Sequence, residues 1–409
     1  MDWDQVFATR ANRMKASEIR ELLKLLEQPD IISFAGGIPD AALFPTEAVT
    51  AAYAKVLSGD QASTALQYSV SEGYRPLRDW IVGEMKTLGI DCRAENVLIT
   101  SGSQQVLDYL GKIFLSPKDT ALVTWPTYLG ALGAFNAYEP AYDRLTPMSN
   151  RETSTYHDAA SKAGGRVKFA YCVPEYSNPT GETMPLAARE WVLDLADELD
   201  IAVIEDAAYQ SLRYDGEGVA PILALDIARN GGDIEKTRTL YCGSFSKTLA
   251  PGLRVGWVVA AESVIRKLVL VKQAADLHSS TINQMVIAEV AANVMDRQIE
   301  RLRATYSARR DRMLAALERS MPAGVAWTRP LGGMFVWVTL PEGVDGAELL
   351  AAAIRDFRIA FVPGKAFHAD GSGANTLRLS FSCASFEMID EGIGRLGDAL
   401  RREMIKAAA

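Results

Sequence analysis

The sequence predicts an α/β protein: a large unit on a mostly parallel sheet with helices on both faces, plus a smaller α+β unit. Three observations carry this reading. From about residue 95 short β-rich runs alternate with helical stretches; after about residue 260 the chain reads helical; and beyond residue 320 strands and helices return in another order. With 409 residues the chain is longer than one core usually supports, so two units are the expectation.

Taken in order, residues 15–28 form an amphipathic helix, and Gly36, Gly37 and Pro39 then break the chain. NVLIT leads into SQQVLDYLGKIFL, and TALVTW into LGALGAFNAY. RVKFAYCV follows, and LAAREWVLDLADEL precedes IAVIED. The series closes with TLYCGSF and RVGWVVA. Residues 262–320 keep apolar positions at three- and four-residue spacing with no internal proline, which predicts a long connecting helix. GGMFVWVTL and TLRLSFS then read as strands, AELLAAAIRDF and FEMIDEGIGRLGDALRREMIKAA as helices. The expected division is residues 1–45 as an N-terminal helix and arm of the small unit, 46–285 as the large unit, and 286–409 as the connecting helix and C-terminal small unit.

Composition narrows the function. A chain 48% hydrophobic and 23% charged is ordinary for a soluble enzyme, and a net charge of −8 without a basic stripe excludes nucleic acid as the expected partner. The cysteines Cys92, Cys172, Cys242 and Cys383 lie too far apart for a zinc motif and are expected as buried free thiols. His157, His278 and His368 are equally scattered, so no metal site is expected. The N-terminal segment is charged and amphipathic without an apolar core, reading as neither signal peptide nor membrane span, and a cytoplasmic location follows as the expectation.

The chemistry centres on SFSKTLAPGLR, residues 244–254. The run before it is apolar and β-branched, which places Lys247 where a strand opens into a loop at a sheet edge. Ser244 and Ser246 offer hydroxyl donors and Arg254 a planar fork for a phosphate. A partly desolvated Lys247 amine suits Schiff-base formation with an aldehyde. Phosphate plus aldehyde describes pyridoxal phosphate (PLP). Such a cofactor needs a carboxylate that keeps its pyridine nitrogen protonated. Asp206 ends the strand IAVIED, and Tyr209 stands three residues later within reach of the phenolic oxygen; in the plain structural case, Asp206 would only cap the turn after its strand. Ser103 opens a helix after ITSG, where free N–H groups and the helix dipole favour phosphate, although the same position suits a plain cap. Arg378 in TLRLSFS is the fork-shaped cation for a substrate carboxylate, against the ordinary case of a strand arginine facing water.

SFAGGIPD, LQYSVSEGYRPLR, TSGSQQ, SNPTG, EDAAY, SFSKTLAPGLR, GGMFVW, VPGKAF and LRLSFS together resemble the class I aminotransferases of fold type I, closest to the 2-aminoadipate and kynurenine aminotransferase group. The resemblance implies an aspartate-aminotransferase-like fold with a seven-stranded central sheet. It implies PLP on Lys247 and ping-pong transfer of an amino group from an L-amino acid (aromatic, aliphatic or 2-aminoadipate-like) to a 2-oxo acid, 2-oxoglutarate foremost. It assigns Asn178 and Tyr209 to the cofactor O3′, with a cis Asn178–Pro179 peptide, Tyr128 to stacking on the pyridine, and Ser103 and Gln104 to the phosphate end. Gly37 and Asn178 join Arg378 at the substrate carboxylate, and Arg20 meets a distal carboxylate. Tyr68 reaches the cofactor phosphate of a neighbouring subunit, which implies a homodimer.

Two rivals stand beside this reading. A PLP lyase or decarboxylase uses the same fold, because fold does not fix reaction. A non-catalytic aminotransferase-like regulatory domain calls for a DNA-binding domain ahead of it; the short stretch before Gly36 and the acidic charge speak against that.

Overall fold

The structure is a computed structural model that describes residues 1–14 and 30–408. Its strands, numbered in chain order, are β1 (Ile32–Ser33), β2 (Val97–Thr100), β3 (Thr120–Val123), β4 (Ala141–Arg144), β5 (Val167–Cys172), β6 (Ala202–Asp206), β7 (Thr239–Ser244), β8 (Gly256–Val259), β9 (Ala326–Trp327), β10 (Phe335–Thr339), β11 (Ile359–Ala360), β12 (Val362–Pro363) and β13 (Thr376–Ser380). Among the described residues these form three sheets.

The central sheet has seven strands in the order β2-β8-β7-β6-β5-β3-β4. Its pairs are parallel except those of β8, which runs antiparallel to both β2 and β7. Strands β2, β3, β7 and β8 are buried at every residue, because helices cover both faces; their near-continuous apolar runs are the sequence mark of that burial. On one face Leu107, Leu110 and Phe135 of the helices Ser103–Phe114 and Leu129–Asn136 pack on Phe169, Tyr171, Ile204 and Cys242. On the other face two clusters form. One joins Ile81 and Val286 to Ile99 and Tyr241, and the other joins Val192 to Ala170 and Val203.

The second sheet, β12-β13-β10-β9, is antiparallel and drawn from the C-terminal part of the chain. A parallel pair, Ile32 with Ile359 and Ser33 with Ala360, ties β1 to β11 and so fixes the segment before Gly36 against the C-terminal unit.

The structure departs from the sequence reading in several places. The helical stretch 262–320 is two helices, Glu262–Ala275 and Thr281–Ser320. The N–H groups of Asp276 and Leu277 both bond to the Lys272 carbonyl, Leu277 turns left-handed at φ 65°, and the buried Lys272 ammonium holds Asp276 and the Ser279 hydroxyl at 2.9 Å each. A polar network, with neither proline nor glycine, breaks the helix. Strand β4 and the helix Thr153–Ala163 had no expectation, since AYDR is an edge strand of mixed, half-exposed residues without an apolar run. Cys92, Cys172 and Cys242 are buried, but Cys383 is exposed, lying just beyond the buried run that ends at Ser382.

Because β2, β3, β5, β6 and β7 point the same way, their C-terminal ends share one edge, where open α/β sheets bind ligands. Gly256 makes a close backbone contact there: a Cβ on it would lie 2.6 Å from the Ser103 nitrogen and 2.9 Å from the Gly243 carbonyl oxygen. These backbone atoms cannot rotate away, so Gly256→Ala is expected to cost about 1–3 kcal/mol of overpacking strain. It should also weaken binding at the Ser103 turn. A thermal midpoint and cofactor affinity equal to the parent's would contradict this.

Candidate active site

A cavity of about 150 Å³ opens at this edge, lined by Ser103, Gln104, Tyr128, Asn178, Asp206, Tyr209, Ser244, Ser246, Lys247 and Arg254. Each side chain arrives from the end of a strand or the loop after it. Asn178 follows β5, Asp206 ends β6, Ser244 ends β7, and Ser103 begins the helix after β2. A larger cavity, about 390 Å³, lies behind the wall made by Ala208 and Ser244. The smaller one holds the titratable cluster and is the site on chemical grounds.

Lys247 is set by the turn after β7. The Ser246 N–H donates to Ser244 Oγ at 3.1 Å, and Lys247 Nζ donates to the Gly37 carbonyl at 2.9 Å. Burial, reinforced by the Arg378 charge and opposed by Asp206, pulls its ammonium down to about 8. Nζ lies 5.8 Å from the centre of the Tyr209 ring. Tyr209 accepts a 3.4 Å bond from Asn178 Nδ2, and burial pushes its phenol upward. The Asn178–Pro179 peptide is cis, as expected, and Trp125–Pro126 is cis as well.

Asp206 is 3% exposed, and burial raises its carboxyl to about 6 against the lowering effect of a hydrogen bond from Tyr171. That bond, Tyr171 Oη to Asp206 Oδ2, is 2.8 Å, whereas Oδ1 has no hydrogen-bond partner. Tyr171 escaped the sequence reading. Period-two alternation puts it on the same strand face as Phe169, but only the pairing of Tyr171 with Ile204 brings it to Asp206.

At the other end of the cavity Gly102, at φ 87°, caps the helix Ser103–Phe114, so Ser103 is its first helical residue and no side-chain cap is made. The Gln105 N–H bonds back to the Gly102 carbonyl at 3.1 Å, while the N–H groups of Ser103 and Gln104 have no intrahelical acceptor and form the positive end of the helix dipole. Arg254, left-handed at φ 53°, donates to the Ser101 carbonyl at 3.2 Å, and a Cβ on Gly102 would sit 2.5 Å from its guanidinium nitrogen. Gln104 lines the cavity and also bonds to the Gly130 carbonyl at 2.7 Å. The ring of Tyr128 folds back over Gly130, where a Cβ would meet it at 2.4 Å.

Arg378 is 1% exposed. It donates to Asn178 Oδ1 and the Ala35 carbonyl, both at 2.8 Å, and lies over the rings of Phe335 at 4.3 Å and Phe367 at 5.0 Å. Its Nε has no partner, and among the described residues no carboxylate pairs with it. Burial lowers it to about 10. A guanidinium held this way awaits an anion. Gly37 lies alongside, its hypothetical Cβ 3.5 Å from the Arg378 fork, and it meets Lys247 through its carbonyl.

Tyr68 is 79% exposed, edge-on to His278 at 5.9 Å, and outside the cavity lining. Arg20 falls outside the described residues.

The residues present suit PLP. Asp206 Oδ1 is a buried acceptor for a ring N–H without a hydrogen-bond partner among the described residues, the Ser103 turn with Ser244, Ser246 and Arg254 is a donor-rich cup suited to phosphate, and Lys247 is a desolvated amine. Among the described residues no group of three or more His, Cys, Asp or Glu side chains is placed to hold a metal, and no helix is long and apolar enough to cross a membrane.

The family model described as aminotransferase class I and II matches residues 29–396. The chain is 42% identical to aromatic-amino-acid aminotransferase 1 of Thermococcus litoralis, over 99% of this chain and 96% of that protein. It is 43% identical to the 2-aminoadipate transaminase of Thermus thermophilus, over 98% of each. The crystal structure of the Thermus thermophilus alpha-aminoadipate aminotransferase complexed with N-(5'-phosphopyridoxyl)-L-leucine superposes with a TM-score of 0.87 at 40% identity, covering 99% of this chain and 100% of that one.

The depressed Lys247 ammonium has a direct consequence. The neutral, reactive amine forms as pH rises through the group's own value, so in cofactor-free protein trinitrobenzenesulfonate should label Lys247 with a midpoint near pH 8, well below the 10.5 of an ordinary lysine. Labelling of Lys247 that begins only with the surface lysines would refute the assigned shift.

Proposed function

The chain belongs to the class I and II aminotransferases, a PLP-dependent family, and on that premise we propose an L-amino-acid transaminase in which Lys247, Asp206 and Tyr209 serve the chemistry and Arg378 grips the substrate. One observation carries the residue assignment: a buried Arg378 without a carboxylate partner among the described residues, bonded to Asn178 in the cluster that contains Lys247. A grip on the α-carboxylate speaks against a decarboxylase, whereas a lyase on the same fold shares it and is separated by the half-reaction.

When bound, PLP supplies an aldehyde for the amino group and an electron-withdrawing ring that stabilises the substrate carbanion. The protein's own residues do the rest. Arg378 and Asn178 hold the α-carboxylate, which orients the Cα–H bond. Lys247 Nζ, with its ammonium lowered to about 8, is neutral in part near physiological pH and takes the proton from Cα, then returns one. Asp206 Oδ1 would hold a proton on the ring nitrogen. Tyr209 and Asn178 would supply hydroxyl and amide contacts to the phenolic oxygen. Ser103, Gln104, Ser244, Ser246 and Arg254 would anchor the phosphate, and Tyr128 would stack on the ring. The walls exclude water, since Asp206, Asn178 and Tyr209 are all buried.

The donor is proposed to be aromatic, aliphatic or 2-aminoadipate-like, supported by relatives named for aromatic amino acids and for 2-aminoadipate. The acceptor is proposed to be 2-oxoglutarate, and the location cytoplasmic. The active unit is proposed to be a two-fold dimer in which Tyr68 reaches the partner's phosphate cup. Exposed Leu66, Tyr68, Val70 and Leu277, the last beside the His278 that Tyr68 touches, support that face as the contact.

The test is a half-reaction. PLP-loaded protein mixed with one amino acid and no acceptor should yield pyridoxamine phosphate and the matching 2-oxo acid in equal amounts. Ammonia or carbon dioxide released in their place would establish the lyase or decarboxylase. Arg378→Gln should lower kcat/KM by about 10- to 100-fold, as loss of hydrogen bonds worth about 1.5–3 kcal/mol to a charged group requires. Sedimentation should give twice the chain mass, and Tyr68→Ala should raise the cofactor dissociation constant; a monomer with full activity would exclude the shared site.

A further inference from the structure

We propose that Tyr171 is a positioning residue for the cofactor's ring nitrogen: its hydroxyl holds Asp206 through Oδ2 and thereby presents Oδ1 alone to the ring proton. This rests on the reading that Asp206 faces the pyridine nitrogen of PLP.

The geometry is specific. Tyr171 is fully buried and Asp206 nearly so, and the 2.8 Å bond between them is the one side-chain hydrogen bond that Asp206 makes among the described residues. The donor cannot drift. Tyr171 sits in β5 with its backbone paired to Ile204 of β6, and Asp206 lies two residues on, hence on the same face of the sheet. Its ring packs edge-on against Phe135 at 5.7 Å, and Phe135 in turn packs on Phe169 at 5.0 Å. A hydroxyl pinned by strand register and an aromatic cluster fixes the carboxylate rotamer without any loop.

The choice of a phenol has a chemical meaning. An arginine or lysine at this position would neutralise Asp206 as an ion pair and spend its charge before the cofactor arrived. A phenol donates one hydrogen bond and leaves the negative charge in place. Burial beside Asp206 drives the Tyr171 phenol far above its ordinary value, so it stays a donor throughout the working pH range. With the hydroxyl removed, a carboxylate in this dry site moves toward its protonated form, and the proton shared with the ring nitrogen shifts onto Asp206. The ring then withdraws electrons less strongly.

The experiment uses the full-length holoenzyme reconstituted with PLP labelled with nitrogen-15 in the ring, whose chemical shift reports whether that nitrogen carries a proton. Tyr171→Phe should move the signal toward the unprotonated ring and raise the cofactor dissociation constant about tenfold, the scale of one hydrogen bond to a charged acceptor. Because Tyr171 acts through Asp206, the double variant Tyr171→Phe/Asp206→Asn should match Asp206→Asn alone in both readouts. A parental signal and affinity in Tyr171→Phe, or effects that add in the double variant, overturn the inference and leave the Asp206 assignment standing. A signal unmoved by Asp206→Asn removes that assignment and the inference with it. If Tyr171→Phe does not fold, 3-fluorotyrosine placed at position 171, a more acidic donor, should move the signal the opposite way, and an unmoved signal there overturns the inference.

Discussion

Arg378 is a guanidinium taken out of water that meets no carboxylate among the described residues, and its surroundings must tolerate that. Removing a cation from water costs several kcal/mol even after relaxation. The offset comes from neutral groups: the Asn178 amide oxygen, the Ala35 carbonyl and the faces of Phe335 and Phe367. Lys247 is handled in the same way, through the Gly37 carbonyl. Both carbonyls belong to the segment after β1, which is why the small β1–β11 pair matters: it pins the loop whose oxygens hold two buried cations. A site charged like this gains most when an anionic ligand enters it.

The central sheet supplies the opposing charge and divides it by strand face. Asp206 and Glu205 are consecutive, both buried, and both raised by burial. Alternation sends them to opposite sides. Glu205 accepts the N–H groups of Ile222 and Leu223 at 2.8 and 2.9 Å, capping the helix Ile222–Arg229, and holds at about 7. Asp206 meets one phenol and keeps an oxygen free. One carboxylate stabilises structure and its neighbour is left for chemistry, a split made by a period of two.

The turn at Ser103, proposed as the phosphate end, is shaped by backbone geometry. Gly102 at positive φ, Arg254 in the left-handed region and Gly256 pressed against the Ser103 nitrogen together bring a helix N-terminus to the edge of β7. Either glycine would be strained or blocked by an ordinary substitution, since a Cβ at Gly102 or Gly256 runs into atoms closer than 3 Å.

The sequence alone determined the alternation of strands and helices, the lysine between two serines, and the residues that end β5, β6 and β7, because each is a local pattern read within one segment. Strand ends that run parallel must share an edge, so even the gathering of Asn178, Asp206 and Lys247 was foreseeable. Only the tertiary structure decided the break at Asp276, where a buried lysine from one helix captures a polar turn, and the exposure of Cys383. It alone joined Tyr171 to Asp206 and left Arg378 without a counter-charge among the described residues. Those facts depend on which residues from distant segments meet in a water-free space, and desolvation acts on assembled neighbours, which no local pattern encodes.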